Sequence, residues 1–171
     1  MCSSDLRKIF IEKDGKLVEA ESAEGEEAVY GGYDAGGKLV GYGIPAAGSG
    51  FQDTISLIYG YDPFKQQIIG MQVLESRETP GLGDKIVGDQ KFHGNFKALE
   101  VPPEIVAVAS GTKAKENEVD SISGATISSK AVVKILNLGN ERWKKLIDEK
   151  TESERSEERR VGKECKSRWS A

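Results

Sequence analysis

Short apolar runs separated by turn residues fill the first half of the chain, a pattern that predicts β-strands joined in hairpins. Asp14-Gly15 lies between two such runs and is a strong signal for a hairpin turn. The last predicted pair of strands is rich in β-branched residues and is divided by Asp62-Pro63, which makes it the best-defined hairpin. The three predicted strand pairs are 9–11 with 17–18, 28–30 with 39–42, and 54–61 with 67–74.

In the second half, apolar residues recur at helical spacing. Within 83–97 this spacing predicts one helix or two short helices, whereas 105–109 is a candidate buried strand. The clearest helix begins near Gly124 and runs into Glu149, and Gly139-Asn140 is expected to break or kink it. Its predicted apolar face comprises Val132, Val133, Ile135, Leu136 and Leu138, continued by Trp143, Leu146 and Ile147.

Both ends of the chain have the appearance of translated sequencing adapter. Residues 2–6, Cys-Ser-Ser-Asp-Leu, can be encoded by TGCTCTTCCGATCT. The reverse complement of its 3′ portion, AGATCGGAAGAGC, can encode Arg-Ser-Glu-Glu and supply the first base of an arginine codon, which matches 155–159, Arg-Ser-Glu-Glu-Arg. We therefore expect residues 1–6 and 155–171 to be non-native. The remaining residues, 7–154, form one mixed α/β domain, and the natural N-terminus is expected to lie upstream of it.

Composition excludes some classes of protein and leaves others open. The 171 residues carry 24 basic and 28 acidic side chains, a net charge of −4 that argues against a general nucleic-acid binder. No apolar run approaches the roughly 18 residues of a membrane span. Cys2 and Cys165 both lie in the suspect ends, so they indicate neither a disulfide nor a redox compartment.

The candidate functional motif is segment 120–130, Asp-Ser-Ile-Ser-Gly-Ala-Thr-Ile-Ser-Ser-Lys, at the start of the predicted long helix. One interpretation is an ordinary helix N-terminus, capped by Ser123, with Gly124 and Ala125 packing closely. The other is a phosphate site, because unpaired first-turn N–H groups and the helix dipole stabilise an anion. A phosphate bonded to the Thr126 hydroxyl would lie in that field.

Asp120 to Thr126 fits the signature D-x-x-[ST]-G-A-T, and the chain here resembles the FMN-binding domains of the RnfG/NqrC family. This family comprises the G subunit of Rnf complexes and the C subunit of the sodium-pumping NADH:quinone reductase. The resemblance implies that FMN is joined through its phosphate to Thr126. It also implies that a separate FAD-dependent flavin transferase, working with magnesium, makes this bond. No histidine or lysine that could act as a base is evident next to Thr126, which agrees with attachment by another enzyme.

Two further blocks carry the resemblance, which covers residues 28–138. The more specific is 78–85, Glu-Thr-Pro-Gly-Leu-Gly-Asp-Lys, whose Pro-Gly pair is otherwise an ordinary turn. The looser block is 29–51, with Gly48-Ser49-Gly50-Phe51 at its end. The residues implied to contact FMN are Ser123, Gly124, Ala125, Glu78, Thr79, Leu82, Gly83 and Lys85. Asp120 is expected to be recognised by the transferase or to steady the loop.

Other candidate features support plainer interpretations. Residues 41–46 formally fit G-x-G-x-x-A, but Pro45 leaves no room for a Rossmann helix. His93 has no neighbouring ligands at metal spacing and is expected to be a surface or capping side chain, so no metal site is expected. Tyr59, Tyr61 and Phe64 are expected in the core rather than against a flavin.

The resemblance implies an α/β (α+β) fold, a single FMN-binding domain with a largely antiparallel sheet, packed helices and a long C-terminal helix after the Ser-Gly-Ala-Thr motif. It implies a redox subunit, not catalytic alone, of a membrane complex that passes electrons between ferredoxin and NAD while moving sodium or protons. Its partners would be the other Rnf-type subunits. An N-terminal helix absent from this chain would anchor the domain on the extracytoplasmic face of a bacterial membrane. The C subunit of the quinone reductase, another flavinylated carrier, and a structural module without flavin are the alternatives.

Overall fold

Consecutive hairpins build the sheet in this computed structural model, which describes residues 7–168, with side chains up to Lys163. The strands are β1 Arg7–Lys13, β2 Lys16–Ala20, β3 Ala28–Tyr33, β4 Leu39–Ser49, β5 Thr54–Asp62, β6 Gln67–Ser76 and β7 Leu99–Glu100. They form one sheet in the order β2-β1-β3-β4-β5-β6-β7, antiparallel at every junction. The three predicted strand pairs are confirmed. Asp14 and Gly15 both have positive φ, 53° and 73°, as a two-residue hairpin turn requires.

Three helices and a small second sheet complete the described part of the chain. The short helices α1 Lys85–Gly88 and α2 Gln90–Gly94 confirm the prediction of two short helices within 83–97. Strands β8 Val106–Val108 and β9 Glu118–Asp120 pair in parallel, apart from the main sheet. The strand predicted at 105–109 exists, but the prediction that it is buried was wrong. Val106 is 47% exposed, because the strand pairs only with β9.

The long helix α3, Thr126–Arg168, packs on one face of the sheet and is continuous. The predicted break at Gly139-Asn140 was wrong, because α3 continues through both residues, and a kink there stays a prediction. Gly139 lies where the helix packs tightly against β5, since a Cβ added there would be 2.6 Å from Tyr59 Oη. The glycine therefore permits close packing of helix and sheet. The core between them includes Tyr42, Ile44, Leu57, Tyr59 and Tyr61 from the sheet, with Val132, Ile135, Leu136, Trp143 and Ile147 from α3.

Helix α3 contacts β4, β5 and β1 in turn. Near its start, Ile135 lies against Gly48 at the end of β4, and further along Asp148 accepts a hydrogen bond from Tyr61 Oη at 3.2 Å. The Lys150 ammonium then lies over the Phe10 ring of β1, 4.6 Å from its centroid. The helix thus begins at the end of the sheet where β4 finishes.

Two aromatic residues of the β5–β6 hairpin are placed as predicted and the third is not. Tyr59 and Tyr61 are buried under α3. Phe64 is 48% exposed, because it lies in the hairpin turn beyond the area that α3 covers. Residues 41–46 belong to strand β4 and form no dinucleotide turn. Among the described residues, no helix combines the length and apolar character needed to cross a membrane.

Candidate functional site

The motif at 120–126 forms a tight turn that leads directly into α3. Gly124 has φ +81°, a conformation that favours glycine, and the Ala125 amide donates to the Ile122 carbonyl at 3.0 Å. The first backbone bond into the helix runs from Ser129 N to Ala125 O, 2.9 Å. The amides of Thr126, Ile127 and Ser128 therefore have no acceptor within the helix, and they form the positive end of its dipole.

A buried serine holds this turn in place. Ser129 Oγ accepts a hydrogen bond from Ile122 N at 3.0 Å and donates to Ala125 O at 2.9 Å, and the residue is fully buried. It thereby fixes both sides of the Ser123-Gly124 turn. No separate role was predicted for Ser129 within the motif segment. Its signal in the sequence is a hydroxyl one helical turn after Ala125, on the side that faces the core.

An open cleft of about 280 Å³ lies beside the turn. It brings together the two motif blocks that lie far apart in the sequence. The lining residues are Phe51, Thr79, Leu82, Gly83, Gly124, Ala125, Thr126, Ile127 and Ser128. The structure thus places predicted site residues from both the motif turn and the 78–85 loop on the cleft, while Phe51, Ile127 and Ser128 had no predicted contact role.

The rim of the cleft is apolar and exposed to solvent. Phe51 is 61% exposed, Leu82 53% and Ile127 58%, although each is a large hydrophobic side chain. Exposed apolar side chains that cluster around a concave surface indicate a binding site. Thr126 is exposed beside them, at the first position of α3.

Glu78 lies behind the wall of the cleft. It is 5% exposed, and it is not among the described residues that line the cleft. Burial by itself would raise the pKa of Glu78, but hydrogen bonds from Ser128 Oγ and from backbone amides of 51–53 outweigh it and lower the pKa below its usual value. Direct contact between Glu78 and FMN stays a prediction, and this position does not favour it.

The remaining residues of the 78–85 block lie close to the motif turn. Thr79 Oγ1 donates to Gln52 Oε1 at 2.6 Å, which ties the loop to the segment after β4. The Lys85 ammonium lies 3.6 Å from the point that a Cβ on Gly124 would occupy. A cation is thus next to the turn that opens α3. Ser123 and Gly124 are exposed there.

Asp120 serves the loop in front of the motif. Its carboxylate accepts hydrogen bonds from Thr112 N at 3.1 Å and from Lys113 N at 3.0 Å. Its backbone amide donates to Asn95 Oδ1 at 3.2 Å. Of the two predicted roles, steadying the loop agrees with these contacts. Recognition of Asp120 by a transferase stays a prediction.

Two other places in the molecule contain none of the motif residues. His93 Nε2 lies 2.9 Å from Ile86 O, and Nδ1 lies 3.2 Å from Met71 O, so the ring joins α1 to β6 and has the predicted capping role. A larger cleft of about 500 Å³ is lined mainly by residues of β3, β4, β5, β6 and α3, and it contains Arg142, which pairs with Glu27. Within the described part of the chain, no three His, Cys, Asp or Glu side chains are placed to hold a metal.

The residues of the smaller cleft fit FMN. Phe51, Leu82 and Ile127 offer an apolar surface to a flavin ring. The Lys85 ammonium and the unpaired amides of α3 favour a phosphate at the motif turn. Thr126 offers an exposed hydroxyl at the same point.

Comparison with known proteins agrees with this fit. The profile of the FMN-binding domain matches residues 50–139, which include both motif blocks. The G subunit of the ion-translocating oxidoreductase complex of Methanosarcina acetivorans is 42% identical over 108 residues, 63% of this chain and 54% of the relative. The G subunit of the Na⁺-translocating ferredoxin:NAD⁺ oxidoreductase complex of Acetobacterium woodii is 33% identical over 129 residues, 75% of this chain and 60% of the relative. The chain therefore spans a little over half the length of these relatives.

The fold also has solved counterparts. The crystal structure of the C subunit of the Na⁺-translocating NADH-quinone reductase from Parabacteroides distasonis has a TM-score of 0.64 at 24% identity, covering 80% of this chain and 78% of that one. The crystal structure of NqrC from Shewanella oneidensis has a TM-score of 0.58 at 21% identity, covering 79% and 70%. These structures confirm the predicted fold class, an antiparallel sheet with a long C-terminal helix. The match over 50–139 identifies the chain as a member of the FMN-binding domain family.

Proposed function

We propose that this chain is an electron-carrying subunit whose FMN is joined by a phosphoester to Thr126 Oγ1. The observation that carries the proposal is the position of that hydroxyl. It is exposed at the first turn of α3, on the cleft with the apolar rim, and two residues after Gly124, the residue that the Lys85 ammonium approaches. FMN, when bound, supplies the one- and two-electron chemistry, and the protein supplies attachment and surroundings.

The attachment reaction is a transfer from FAD. A separate FAD-dependent transferase, with magnesium, would break the pyrophosphate bond of FAD. Thr126 Oγ1 would lose its proton and form the new bond to phosphorus as AMP leaves. The chain's own contribution is to present the hydroxyl and to stabilise the diester charge. The unpaired amides of Thr126, Ile127 and Ser128, together with Lys85, suit this role. Ser123, Gly124 and Ala125 keep the turn narrow enough for the phosphate to approach.

The relatives favour one kind of complex. Relatives with 31–42% identity that cover more than half of this chain are named as the G subunit of ion-translocating or ferredoxin:NAD⁺ oxidoreductase complexes. We therefore assign the chain to an Rnf-type complex, in which electrons pass between ferredoxin and NAD and drive sodium or proton movement. The other subunits of that complex are its partners. The C subunit of the quinone reductase is the second candidate, since its solved structures share the fold.

We further propose that the domain lies on the extracytoplasmic face of a bacterial cytoplasmic membrane. Covalent attachment is useful there, because a dissociated flavin would be lost from that compartment. The anchor would be an N-terminal helix outside this chain.

The deciding experiment is expression with and without the flavin transferase, followed by intact-mass measurement and in-gel flavin fluorescence. The parent chain should gain the mass of FMN less water only when the transferase is present. Thr126→Val should gain none, because the attacking oxygen is gone. Thr112→Val is the matched control, since Thr112 is an exposed loop threonine whose hydroxyl donates to Ala109 O at 2.7 Å, away from the cleft.

The outcomes separate the alternatives. A labelled Thr126→Val protein would show that the attachment residue is wrong. A parent chain that stays colourless beside an active transferase would leave a structural or partner-binding module as the explanation.

A further inference from the structure

Three separate segments meet at the carboxylate of Glu78. Its Oε1 accepts hydrogen bonds from Gln52 N at 3.0 Å and from Asp53 N at 3.5 Å, both in the loop after β4. Its Oε2 accepts one from Ser128 Oγ in the first turn of α3, at 2.5 Å. Glu78 itself begins the 78–83 loop. One buried carboxylate therefore contacts all three walls of the FMN cleft.

Two glycines make room for this carboxylate. A Cβ added to Gly83 would lie 2.6 Å from both Glu78 Oε2 and Ser128 Oγ. A Cβ added to Gly50 would overlap Glu78 Oε1. The backbones of both loops therefore close directly on the carboxylate, and a bulkier residue at either position would push it away.

The hydrogen bonds to Glu78 are strong because their acceptor is an ionised carboxylate. An ionised carboxylate that is removed from water must be compensated, and hydrogen bonds to a charged acceptor are about twice as strong as neutral ones. Both oxygens of Glu78 are bonded, and its pKa is lowered, so the charge is retained at neutral pH. The carboxylate therefore binds the segments that form the wall of the cleft and does not face the cleft itself.

We propose that Glu78 is a positioning residue that fixes the geometry of the cofactor cleft. Ser128 lies two residues after Thr126 on the same helical turn. The bond from Ser128 to Glu78 therefore fixes the position of Thr126 relative to the 78–83 loop. The bonds to the 51–53 backbone set the position of Phe51 on the rim. The consequence for FMN rests on the function proposed above, whereas the clamp itself does not.

Hydrogen exchange on the unmodified chain tests the clamp without any flavin. Glu78→Leu should speed exchange of the Gln52 and Asp53 amides roughly tenfold, because both lose their acceptor. Glu78→Gln should restore most of the protection, since its amide oxygen accepts from Gln52 and its nitrogen can donate to Ser128. Glu75→Leu is the matched control, as Glu75 is an exposed acidic residue of β6 that pairs with Arg77. Equal exchange in Glu78→Leu and Glu75→Leu would overturn the proposal.

Fluorescence anisotropy of the attached FMN tests the consequence. Glu78→Leu and Ser128→Ala should both carry FMN with lower anisotropy than the parent, while Glu75→Leu should match the parent. Should Glu78→Leu fail to fold, Ser128→Ala decides, since it removes a single hydroxyl; unchanged anisotropy in that variant would contradict the proposal. A parent chain without FMN would refute the proposed function, and the exchange experiment would still decide the clamp.

Discussion

At the scale of single residues, the site depends on side chains that are small or absent. Gly124 takes a positive φ, and the chemistry of a Ser-Gly-Ala-Thr turn before a helix makes that predictable. The contact between Glu78 and Ser128 was not predictable, because it joins residues 50 positions apart in the chain. Sequence reasoning placed Glu78 next to the flavin, and the structure places it behind Gly83. Local motifs therefore predicted the turn, whereas the hydrogen bond between Ser128 and Glu78 behind it became evident only from the tertiary fold.

A paired glycine substitution tests this packing. Gly83→Ala should destabilise the chain by about 1–3 kcal/mol, because the added methyl group would overlap Glu78 and Ser128. Gly88→Ala is the control, since a Cβ at Gly88 has no heavy atom within 4 Å and α1 favours alanine. Urea unfolding of both variants measures the difference. A Gly83→Ala protein as stable as Gly88→Ala would show that the loop can relax around the carboxylate.

At the scale of elements, strands were easier to predict than helix ends. Alternating apolar residues and Asp-Gly or Asp-Pro turns predicted the hairpins, since strand and turn signals are local. The same rules predicted a break at Gly139-Asn140, where α3 continues. Glycine is a poor helix former in isolation, but here it lets the helix approach Tyr59. The short strands β7 and β9 were missed because they carry two and three residues and no periodic pattern.

A double-mutant cycle tests this interpretation of Gly139. In an exposed helix, Gly→Ala stabilises by about 1 kcal/mol. Gly139→Ala should instead destabilise by about 1–3 kcal/mol, because its methyl group would lie 2.6 Å from Tyr59 Oη. Tyr59→Phe alone should be nearly neutral, since this hydroxyl has no hydrogen-bond partner among the described residues.

The double variant should recover part of the loss, because the closest atom is gone while ring carbons at 3.2 and 3.3 Å remain. Thermal unfolding of the four proteins gives the coupling. Additive effects would mean that the helix and Tyr59 do not contact each other as described.

At the scale of the whole molecule, the sheet supports α3 only as far as residue 154. Thr151 is buried and donates to Ile147 O at 2.8 Å, whereas all described side chains from 155 to 163 are exposed. This change coincides with the boundary at which the sequence begins to resemble adapter. It supports the proposal that the natural domain is 7–154 with the tail 155–171 added; residues 1–6 lie outside the described residues.

Removal of the tail tests the boundary. A chain that ends at Glu154 should keep the free energy of unfolding of the full chain within about 0.5 kcal/mol, because exposed residues contribute little. Its helical circular dichroism should fall in proportion to the residues removed. Urea unfolding followed at 222 nm measures both quantities. A large loss of stability would show that residues 155–163 pack on the domain, contrary to their exposure.

Strand β4 also separates the start of β1 from the cleft. Arg7 pairs with Gly32, whose partner in β4 is Gly41, whereas the cleft adjoins the far end of that strand after Ser49. At about 3.3 Å per residue, the two points are separated by roughly 25 Å. If the proposed function holds, a membrane tether joined at Arg7 would leave from the end of the sheet opposite the cleft, so that FMN in the cleft would face away from the membrane towards a docking donor or acceptor.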